Sequence, residues 1–385
     1  MTVIVTGELT KGRRRKSYGE PKEKEMKEMP SVLVAMVTPF VDMTCQLDHP
    51  VINFKLFKKH IEFLCSQGVG LLPMGTTGES PVVSDIEHKK VIQITQEEVC
   101  KKKSDIFVLA GTGSNSTWEA GQYTATAKAC GCDGALLVTP YYNKPASEQM
   151  LKEYFIPIAK KFPDMPIIPY LISGRTGSVF VPPDLAILVD QCPNVVAVKY
   201  AEPELHNARE IRRLLPDPEK FGILSGDDNR TLQIITDTNI KACGVISVMG
   251  NIVPAAIKEM CDLALVGRKV EASYIQEKLK PLFGLVSVSG SRTIDVPGDK
   301  LYYLDKYPNP GPIKTIMNGL GINAGHCAPP LGKMSLLLVQ IIRDIVRKVW
   351  RTYPECLHPL ADFYDLDIEE RLEDDDVWHQ LAYEE

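Results

Sequence analysis

Residues 134–172 read GALLVTPYYNKPASEQMLKEYFIPIAKKFPDMPIIPYLI, in which two short apolar segments flank one stretch of helical length. The segments at 134–140 and 166–172 are too short and too evenly apolar for surface strands. Such segments are typical of strands that are buried on both faces of a parallel sheet. The stretch between them, at 148–162, is a helix candidate. The whole segment therefore predicts two parallel strands joined by a helix.

The same alternation of apolar segment and helical stretch occurs eight times along the chain. The apolar segments lie at 31–40, 70–75, 105–113, 134–140, 166–172, 194–201, 221–228 and 241–250. The helix candidates lie at 53–67, 84–103, 116–131, 148–162, 183–191, 204–215, 229–238 and 254–267, and Ser84, Asp85, Ser116 and Thr117 are candidate N-caps. Eight such units predict an α/β fold, a (β/α)8 TIM barrel, rather than an open doubly wound sheet. No GxGxxG motif opens the first unit, which disfavours a dinucleotide-binding fold.

Four regions follow from this pattern, with the catalytic barrel at 31–267. Residues 1–30 carry KGRRRK and KEKEMKE with few apolar residues, which predicts a disordered, solvated tail rather than a targeting or nucleic-acid-binding arm. Residues 268–352 are predicted to form a C-terminal helical appendage, with helices at 270–282, 312–319 and 333–352 and a Gly/Pro-rich loop or short hairpin after the first. Residues 353–385, which contain EERLEDDDVW, are predicted to be an acidic, solvated C-terminal tail.

The composition excludes several classes of protein. With 385 residues, 44% hydrophobic and 24% charged, the chain is typical of globular proteins. A net charge of -5 provides no general attraction to nucleic acid or to acidic membranes. No apolar segment reaches the roughly 18 residues that a membrane span needs. We therefore expect no nucleic-acid partner and no membrane partner.

The cysteines and histidines indicate a reducing compartment and no metal site. Among the ten cysteines, Cys65, Cys192, Cys243 and Cys261 lie in apolar segments, as reduced, buried thiols do. There is no CxxC, HxH or HExxH motif, so we expect neither a disulfide framework nor a bound metal. The predicted location is a reducing compartment, namely the cytoplasm or an organelle matrix, of which we take the cytoplasm.

Candidate catalytic residues lie where the predicted strands end, because active sites of TIM barrels are built there. The loop GTTGES at 75–80 has glycines and hydroxyls at a helix entrance, which suits a carboxylate or phosphate but also an ordinary capped turn. Lys199 lies in an apolar strand, so it either pairs with Glu202 or Asp227 or has a lowered pKa and acts as a nucleophilic amine. Tyr170 at another strand end either packs or relays protons.

Taken in order, the motifs resemble the dihydrodipicolinate synthase and N-acetylneuraminate lyase superfamily of pyruvate-dependent class I aldolases, and dihydrodipicolinate synthase most closely. The matching segments are TPF (38–40), GTTGES (75–80), AGTGSN (110–115), TPYYNKP (139–145), Tyr170 with Arg175-Thr176-Gly177, Lys199, SGDD (225–228), GVISV (244–248), NPGPIK (309–314) and APPL (328–331). The resemblance implies a TIM barrel that condenses pyruvate with aspartate semialdehyde in lysine biosynthesis, without a cofactor.

The resemblance also implies catalytic roles. Lys199 matches the lysine that forms an imine, or Schiff base, with the ketone of pyruvate. Tyr170 and Thr76 match the residues that relay protons. Tyr142 matches the tyrosine that completes this relay from a neighbouring subunit, although Tyr141 is an alternative. The family implies a homo-oligomer, commonly a homotetramer.

Further residues are implied to bind substrate. Thr77, with the backbone N–H groups of Thr76 and Thr77, would hold the carboxylate of pyruvate, and Gly226 and Ile246 match positions that line the pyruvate site. Arg175 matches the arginine that binds the carboxylate of aspartate semialdehyde, for which a guanidinium fork is suited. The alternative is that Arg175 pairs with Glu202 or Asp227.

The resemblance extends to an allosteric site for lysine. Its ligands would be His88, Asn115, Glu119 and Tyr141. The alternative is that Asn115 caps the third helix and Glu119 is a surface charge. A second histidine of feedback-inhibited relatives corresponds to Asp85 in this chain.

Several departures from the family pattern bear on the substrate. The chain has Leu171-Ile172-Ser173 after Tyr170, Tyr200-Ala201-Glu202-Pro203 after Lys199, and an unusual insertion at 287–308. Two alternative functions therefore stay open: an aldolase for 2-keto-3-deoxy sugar acids, and a non-catalytic barrel that binds 2-oxo acids.

Overall fold

The computed structural model describes residues 27–41, 49–102 and 104–384. The predicted disordered tail at 1–30 lies outside the described residues except for residues 27–30. Within the described ranges, no helix combines the length and the apolar character needed to cross a bilayer.

Eight parallel strands form the barrel, one in each predicted apolar segment. They are β1 Val32–Ala35, β2 Gly70–Leu72, β3 Leu109–Gly111, β4 Gly134–Val138, β5 Ile167–Leu171, β6 Ala197–Tyr200, β7 Gly222–Ser225 and β8 Gly244–Ser247. Their order in the sheet is β2-β1-β8-β7-β6-β5-β4-β3, and a parallel bridge between Leu71 and Val108 joins the two ends. The predicted TIM barrel is confirmed.

Helices follow the strands as the sequence predicts. They are α1 Phe54–Ser66, α2 Asp85–Lys101, α3 Thr117–Cys130, α4 Ser147–Met150, α5 Ile156–Lys161, α6 Ser173–Thr176, α7 Pro182–Gln191, α8 Leu205–Leu214, α9 Thr231–Thr236 and α10 Pro254–Leu265. A π-helical turn, Leu151–Phe155, joins α4 to α5. Ser84 caps α2 and Ser116 caps α3, whereas Asp85 and Thr117 are the first residues of those helices rather than caps.

Successive side chains along a strand point alternately into the barrel and towards the helices, and this separates two apolar layers. In β1, Leu33 and Ala35 belong to the cluster inside the barrel, while Val32 and Val34 belong to the larger cluster that includes the helices. Tyr170 and Ile246 also belong to the interior cluster. The barrel centre is therefore a packed core, and the functional groups must lie at its ends.

The C-terminal region continues with α11 Lys269–Phe283, a hairpin of β9 Val288–Val296 and β10 Asp299–Tyr307, and helices α12 Gly311–Gly319 and α13 Leu336–Thr352. The three predicted helices are present. The insertion is a regular antiparallel hairpin with nine residues in each strand.

The acidic terminus is folded, and the prediction of a solvated tail at 353–385 is wrong. It forms α14 His358–Tyr364, α15 Ile368–Glu373 and α16 Asp375–His379. Trp378 is fully buried against Gly319, where an added Cβ would lie 2.4 Å from the indole. The acidic residues lie beside basic residues of α13; Arg351, for example, contacts Glu373 at 2.8 Å. Neutralisation by α13 allows this acidic segment to pack.

Candidate active site

A cavity of about 260 Å³ opens at the carboxyl ends of the barrel strands. Among the predicted site residues, Thr76, Tyr170, Arg175 and Tyr141 line it. Other lining residues are Met74, Gly75, Glu79, Ser80, Pro81, Val82, Gly111, Gly113, Leu136, Val138, Ile172, Thr176, Asn309 and Leu331. We call this space the active-site cavity.

Lys199 lies directly beside the cavity-lining Tyr170. The two residues pair in register between β6 and β5, and the Lys199 Nζ lies 4.0 Å from the centroid of the Tyr170 ring. Lys199 is only 4% exposed, and burial lowers its pKa to about 7; Asp228 opposes this shift and Arg175 adds to it. A large fraction of the amine is therefore neutral near pH 7 and able to act as a nucleophile.

The structure disfavours an ion pair as the reason why Lys199 lies in an apolar strand. Within the described ranges, no carboxylate forms a salt bridge with it. Glu202, a predicted partner, accepts hydrogen bonds from Ser173 instead. Asp227, the other, accepts from the backbone of Asn229.

Tyr170 is placed to exchange protons with a group at Lys199. Burial raises the pKa of its phenol to about 12, and both Arg175 and a hydrogen bond with the Thr76 hydroxyl act in the opposite direction. The phenol is therefore protonated at neutral pH, and it can donate its proton and recover it from Thr76.

The loop that follows β2 presents unpaired backbone donors. The N–H groups of Thr76 and Thr77 have no acceptor among the described residues. The Thr77 side chain is buried behind the loop, where its Oγ1 accepts a hydrogen bond of 2.9 Å from the Asn309 Nδ2. The Thr38 Oγ1 donates to the Gly78 carbonyl at 2.7 Å and fixes the other side of the turn. Such unpaired N–H groups suit a carboxylate.

Gly226 and Ile246 support Lys199 rather than line the active-site cavity. An added Cβ at Gly226 would lie 3.1 Å from the Lys199 Cε and 2.7 Å from the Ala201 Cβ, so a side chain there would displace the lysine. Ile246 is fully buried in the interior cluster below.

Arg175 extends into the active-site cavity without an acidic partner. Its Nη2 donates to the Asn309 carbonyl at 3.0 Å, and no carboxylate of the described ranges forms a salt bridge with it. The alternative that Arg175 pairs with Glu202 or Asp227 is therefore disfavoured. Because a guanidinium has five N–H donors, most of its capacity is left for an anion.

The two tyrosines of the PYY segment have different surroundings. Tyr141 lines the active-site cavity of its own chain. Tyr142 is 84% exposed, does not line that cavity, and has a left-handed backbone with φ of 70°. A strained backbone that exposes an aromatic ring is common where a side chain serves a function.

The predicted lysine ligands lie close together near the cavity. His88 stacks on Tyr123 with ring centroids 3.7 Å apart, and neither ring nitrogen has a hydrogen-bond partner in the described ranges. Burial lowers the pKa of His88 to about 3. Glu119 accepts a hydrogen bond from Ser114, and Tyr141 is within hydrogen-bonding reach of Ser114 and the Asn115 backbone. Ser116, not Asn115, caps α3.

Three residues of this region were not predicted to have a role. Asn309 connects Thr77 and Arg175 through the two hydrogen bonds above. Glu79, at the end of the loop after β2, forms a buried ion pair with Lys314 at 2.7 Å, and both side chains are at most 2% exposed. Asn309 and Lys314 both belong to the motif NPGPIK, so the sequence could have indicated a role for this segment. Their contacts could not be predicted, because they depend on how α12 packs over the barrel.

Comparisons with known proteins agree with this geometry. Residues 28–296 match the Dihydrodipicolinate synthetase family. The chain is 39% identical over 304 residues to the 4-hydroxy-tetrahydrodipicolinate synthase of Endomicrobium trichonymphae, which covers 79% of this chain and 92% of the relative. The solved structure of the corresponding synthase from Methylacidiphilum fumariolicum is 30% identical with a TM-score of 0.73, and the match covers 86% of this chain and 99% of that one. The dihydrodipicolinate synthase from Cyanidioschyzon merolae, solved with lysine bound, is 28% identical with a TM-score of 0.72, covering 83% and 98%.

Proposed function

The chain belongs to the dihydrodipicolinate synthetase family, and we propose that it condenses pyruvate with aspartate semialdehyde through an imine on Lys199. It is a lyase of the dihydrodipicolinate synthase type, with the lysine-biosynthetic reaction of its curated relatives. The observation that carries the proposed mechanism is the neutral amine of Lys199 against the Tyr170 ring, beside a cavity that holds the unpaired Arg175.

The first half of the reaction uses pyruvate. Its carboxylate binds the free N–H groups of Thr76 and Thr77. The Lys199 amine attacks the ketone carbon, and Tyr170 supplies the proton with which the ketone oxygen leaves as water. The resulting imine draws electrons from the neighbouring methyl group, which loses a proton to give an enamine. Thr76 exchanges protons with Tyr170 during these steps.

The second half uses the aldehyde. Arg175 binds the carboxylate of aspartate semialdehyde through parallel N–H donors. The enamine carbon then attacks the aldehyde carbon, and the new oxyanion takes a proton from the relay. The product is cyclic, so its own amine attacks the imine carbon and releases Lys199 as a free amine. Atoms balance with the loss of one water molecule.

A coupled assay tests this proposal. Pyruvate and aspartate semialdehyde are supplied together, and 2-keto-3-deoxy sugar acids are tested in parallel. Turnover with aspartate semialdehyde and none with the sugar acids supports the proposal. Cleavage of a sugar acid without activity on aspartate semialdehyde overturns it in favour of the aldolase.

The other alternative is a protein that keeps the substrate pocket but no longer catalyses the reaction. Borohydride reduces an imine to a stable amine, so it traps pyruvate on the lysine that binds it. A chain that is labelled by pyruvate but turns over none of these substrates would be a 2-oxo-acid-binding protein.

The proposal includes self-association, because Tyr142 does not reach its own active-site cavity. We infer that Tyr142 completes the relay in a second copy of the chain, in a dimer or tetramer. Analytical ultracentrifugation of the wild type gives the oligomeric state. A strictly monomeric, fully active enzyme would contradict the proposed self-association.

The free thiols of Cys65, Cys192, Cys243 and Cys261 support a reducing location, which we take to be the cytoplasm.

Regulation by lysine is also part of the proposal. We infer that His88, Asn115, Glu119 and Tyr141 form one lysine site, because Tyr141 and Glu119 both hydrogen-bond Ser114, and His88 stacks on Tyr123, which interacts with Glu119. Tyr141 also lines the active-site cavity. A ligand that contacts Tyr141 at this position would therefore touch a residue that borders the substrate.

A further inference from the structure

The two segments that depart from the family pattern at the strand ends contact each other. Ser173 follows β5, and Glu202 follows β6. The Ser173 backbone N–H donates to the Glu202 Oε1 at 2.8 Å, and its hydroxyl donates to the Oε2. Resting on the proposed function, we propose that Glu202 is a positioning residue that holds the Arg175-bearing turn α6 where the second substrate's carboxylate binds.

The turn α6 is too short to hold its own conformation. It has four residues, Ser173–Thr176, and its N-cap Ile172 supplies no side-chain hydrogen bond. A single helical turn is unfavourable in isolation, because its residues are ordered for few hydrogen bonds. Its first N–H would lack an acceptor without Glu202.

The far end of α6 is fixed by different contacts. The Thr176 Oγ1 lies 3.0 Å from the Thr139 Oγ1, and the Gly177 N–H donates to the Ser173 carbonyl at 2.8 Å. Gly177 has a left-handed φ of 70°. The turn is thus held by Thr139 at its end and by Glu202 at its beginning, with Arg175 between the two.

Glu202 is itself anchored at the rim of the barrel. The Arg230 Nη1 donates to the Glu202 backbone carbonyl at 2.9 Å, and Pro203 restricts the backbone of Glu202, which precedes it. Within the described ranges, no cation forms a salt bridge with the Glu202 carboxylate. Its charge is therefore available to strengthen both hydrogen bonds from Ser173.

The position of α6 affects the binding of aspartate semialdehyde rather than that of pyruvate. Arg175 reaches the Asn309 carbonyl from α6, and a small displacement of the turn would move its guanidinium away from a bound carboxylate. Pyruvate binds at Thr76, Thr77 and Lys199, none of which shares a hydrogen bond or an ion pair with Ser173 or Glu202. The charge of Glu202 helps to raise the pKa of Tyr170, but burial is the largest cause, so the phenol stays protonated at neutral pH without Glu202. Loss of Glu202 should therefore raise the KM for aspartate semialdehyde while the KM for pyruvate changes little.

The test compares Glu202→Ala, Glu202→Gln and the control Glu204→Ala. Glu204 is an exposed glutamate of the same loop whose side chain caps nothing. We expect Glu202→Ala to raise the KM for aspartate semialdehyde about tenfold, because two charge-assisted hydrogen bonds are lost. Glu202→Gln, which keeps one acceptor oxygen, should have an intermediate effect, and Glu204→Ala none. Borohydride trapping of pyruvate on Lys199 should be unchanged in all three.

A double-mutant cycle with Arg175→Ala decides whether Glu202 acts through Arg175. In that background Glu202→Ala should add less than about twofold to the KM for aspartate semialdehyde. A full additional effect, or an equal rise in both KM values, would overturn the positioning role. A wild type that traps pyruvate but does not consume aspartate semialdehyde would overturn the proposed function, and the role of Glu202 with it.

Discussion

Lys199 and Tyr170 occupy paired positions on adjacent strands, with the lysine Nζ 4.0 Å from the centroid of the phenol ring. Because both side chains point into a buried environment, the lysine amine loses its proton easily and the phenol keeps its proton. Imine formation needs this combination, namely a neutral nucleophile and a proton donor that are in contact. At the protein surface the lysine would be protonated at neutral pH, so the nucleophile depends on burial for its neutral state.

The first prediction concerns the pH dependence of imine formation. The pKa of Lys199 is lowered from 10.5 to about 7, so its amine is mostly protonated below pH 7 and mostly neutral above it. The initial rate of labelling by pyruvate and cyanoborohydride should rise with pH through about 7 and then level off. Peptide mapping should find one pyruvate-derived mass per chain, on Lys199. Labelling of another lysine, or a rate that still rises steeply above pH 9, would contradict the assignment.

A second prediction addresses the proton relay. Tyr170→Phe and Thr76→Val should each lower kcat by about 10²- to 10⁴-fold, because each removes a positioned proton-transfer group. Tyr142→Phe should have a similar effect, and Tyr141→Phe a smaller one. Circular dichroism should show that the fold is retained. Wild-type turnover in either the Tyr170 or the Thr76 variant would show that the roles are misassigned.

The contacts of Arg175 give the third prediction. Arg175→Ala should raise the KM for aspartate semialdehyde far more than that for pyruvate, since a charge-assisted contact contributes about 1.5–3 kcal/mol. Steady-state kinetics with each substrate varied in turn measures the two values. Arg213→Ala is a control, since its exposed guanidinium pairs with Glu210 on α8 and does not line the active-site cavity. Equal effects of Arg175→Ala on both substrates would indicate a purely structural arginine.

The buried ion pair between Glu79 and Lys314 leads to a prediction about stability. Lys314→Met leaves the Glu79 carboxylate buried without its cation and should lower the free energy of unfolding by about 3–5 kcal/mol. The double variant Glu79→Gln with Lys314→Met should recover most of that loss, because no uncompensated charge is left. Urea unfolding followed by fluorescence measures both. A double variant no more stable than Lys314→Met would show that the pair itself stabilises the fold.

The barrel was predictable from the sequence because its strands are buried on both faces and are therefore evenly apolar. Lys199 and Tyr170 could be recognised as candidates because a charged or phenolic residue interrupts such a strand. The packing of the acidic terminus could not be predicted, since its ion pairs with α13 form only because the chain turns back along that helix and buries Trp378 against Gly319. The contact between Ser173 and Glu202 was hidden for another reason: each lies after a different strand, and it is the pairing of β5 with β6 that brings them together.

The last prediction is inhibition by lysine at the cluster of His88, Asn115, Glu119 and Tyr141. The Glu119 carboxylate can pair with an ammonium group of lysine, and the two free nitrogens of His88 leave further hydrogen bonds to be made. Lysine should inhibit partially at submillimolar to millimolar concentrations. Glu119→Ala should abolish that inhibition without changing kcat, and the exposed Glu153→Ala should leave it intact. Indifference of the wild type to lysine at about 10 mM, far above a micromolar affinity, would exclude a functional site. Inhibition that persists in Glu119→Ala would contradict the assignment of Glu119 as the partner of the lysine ammonium.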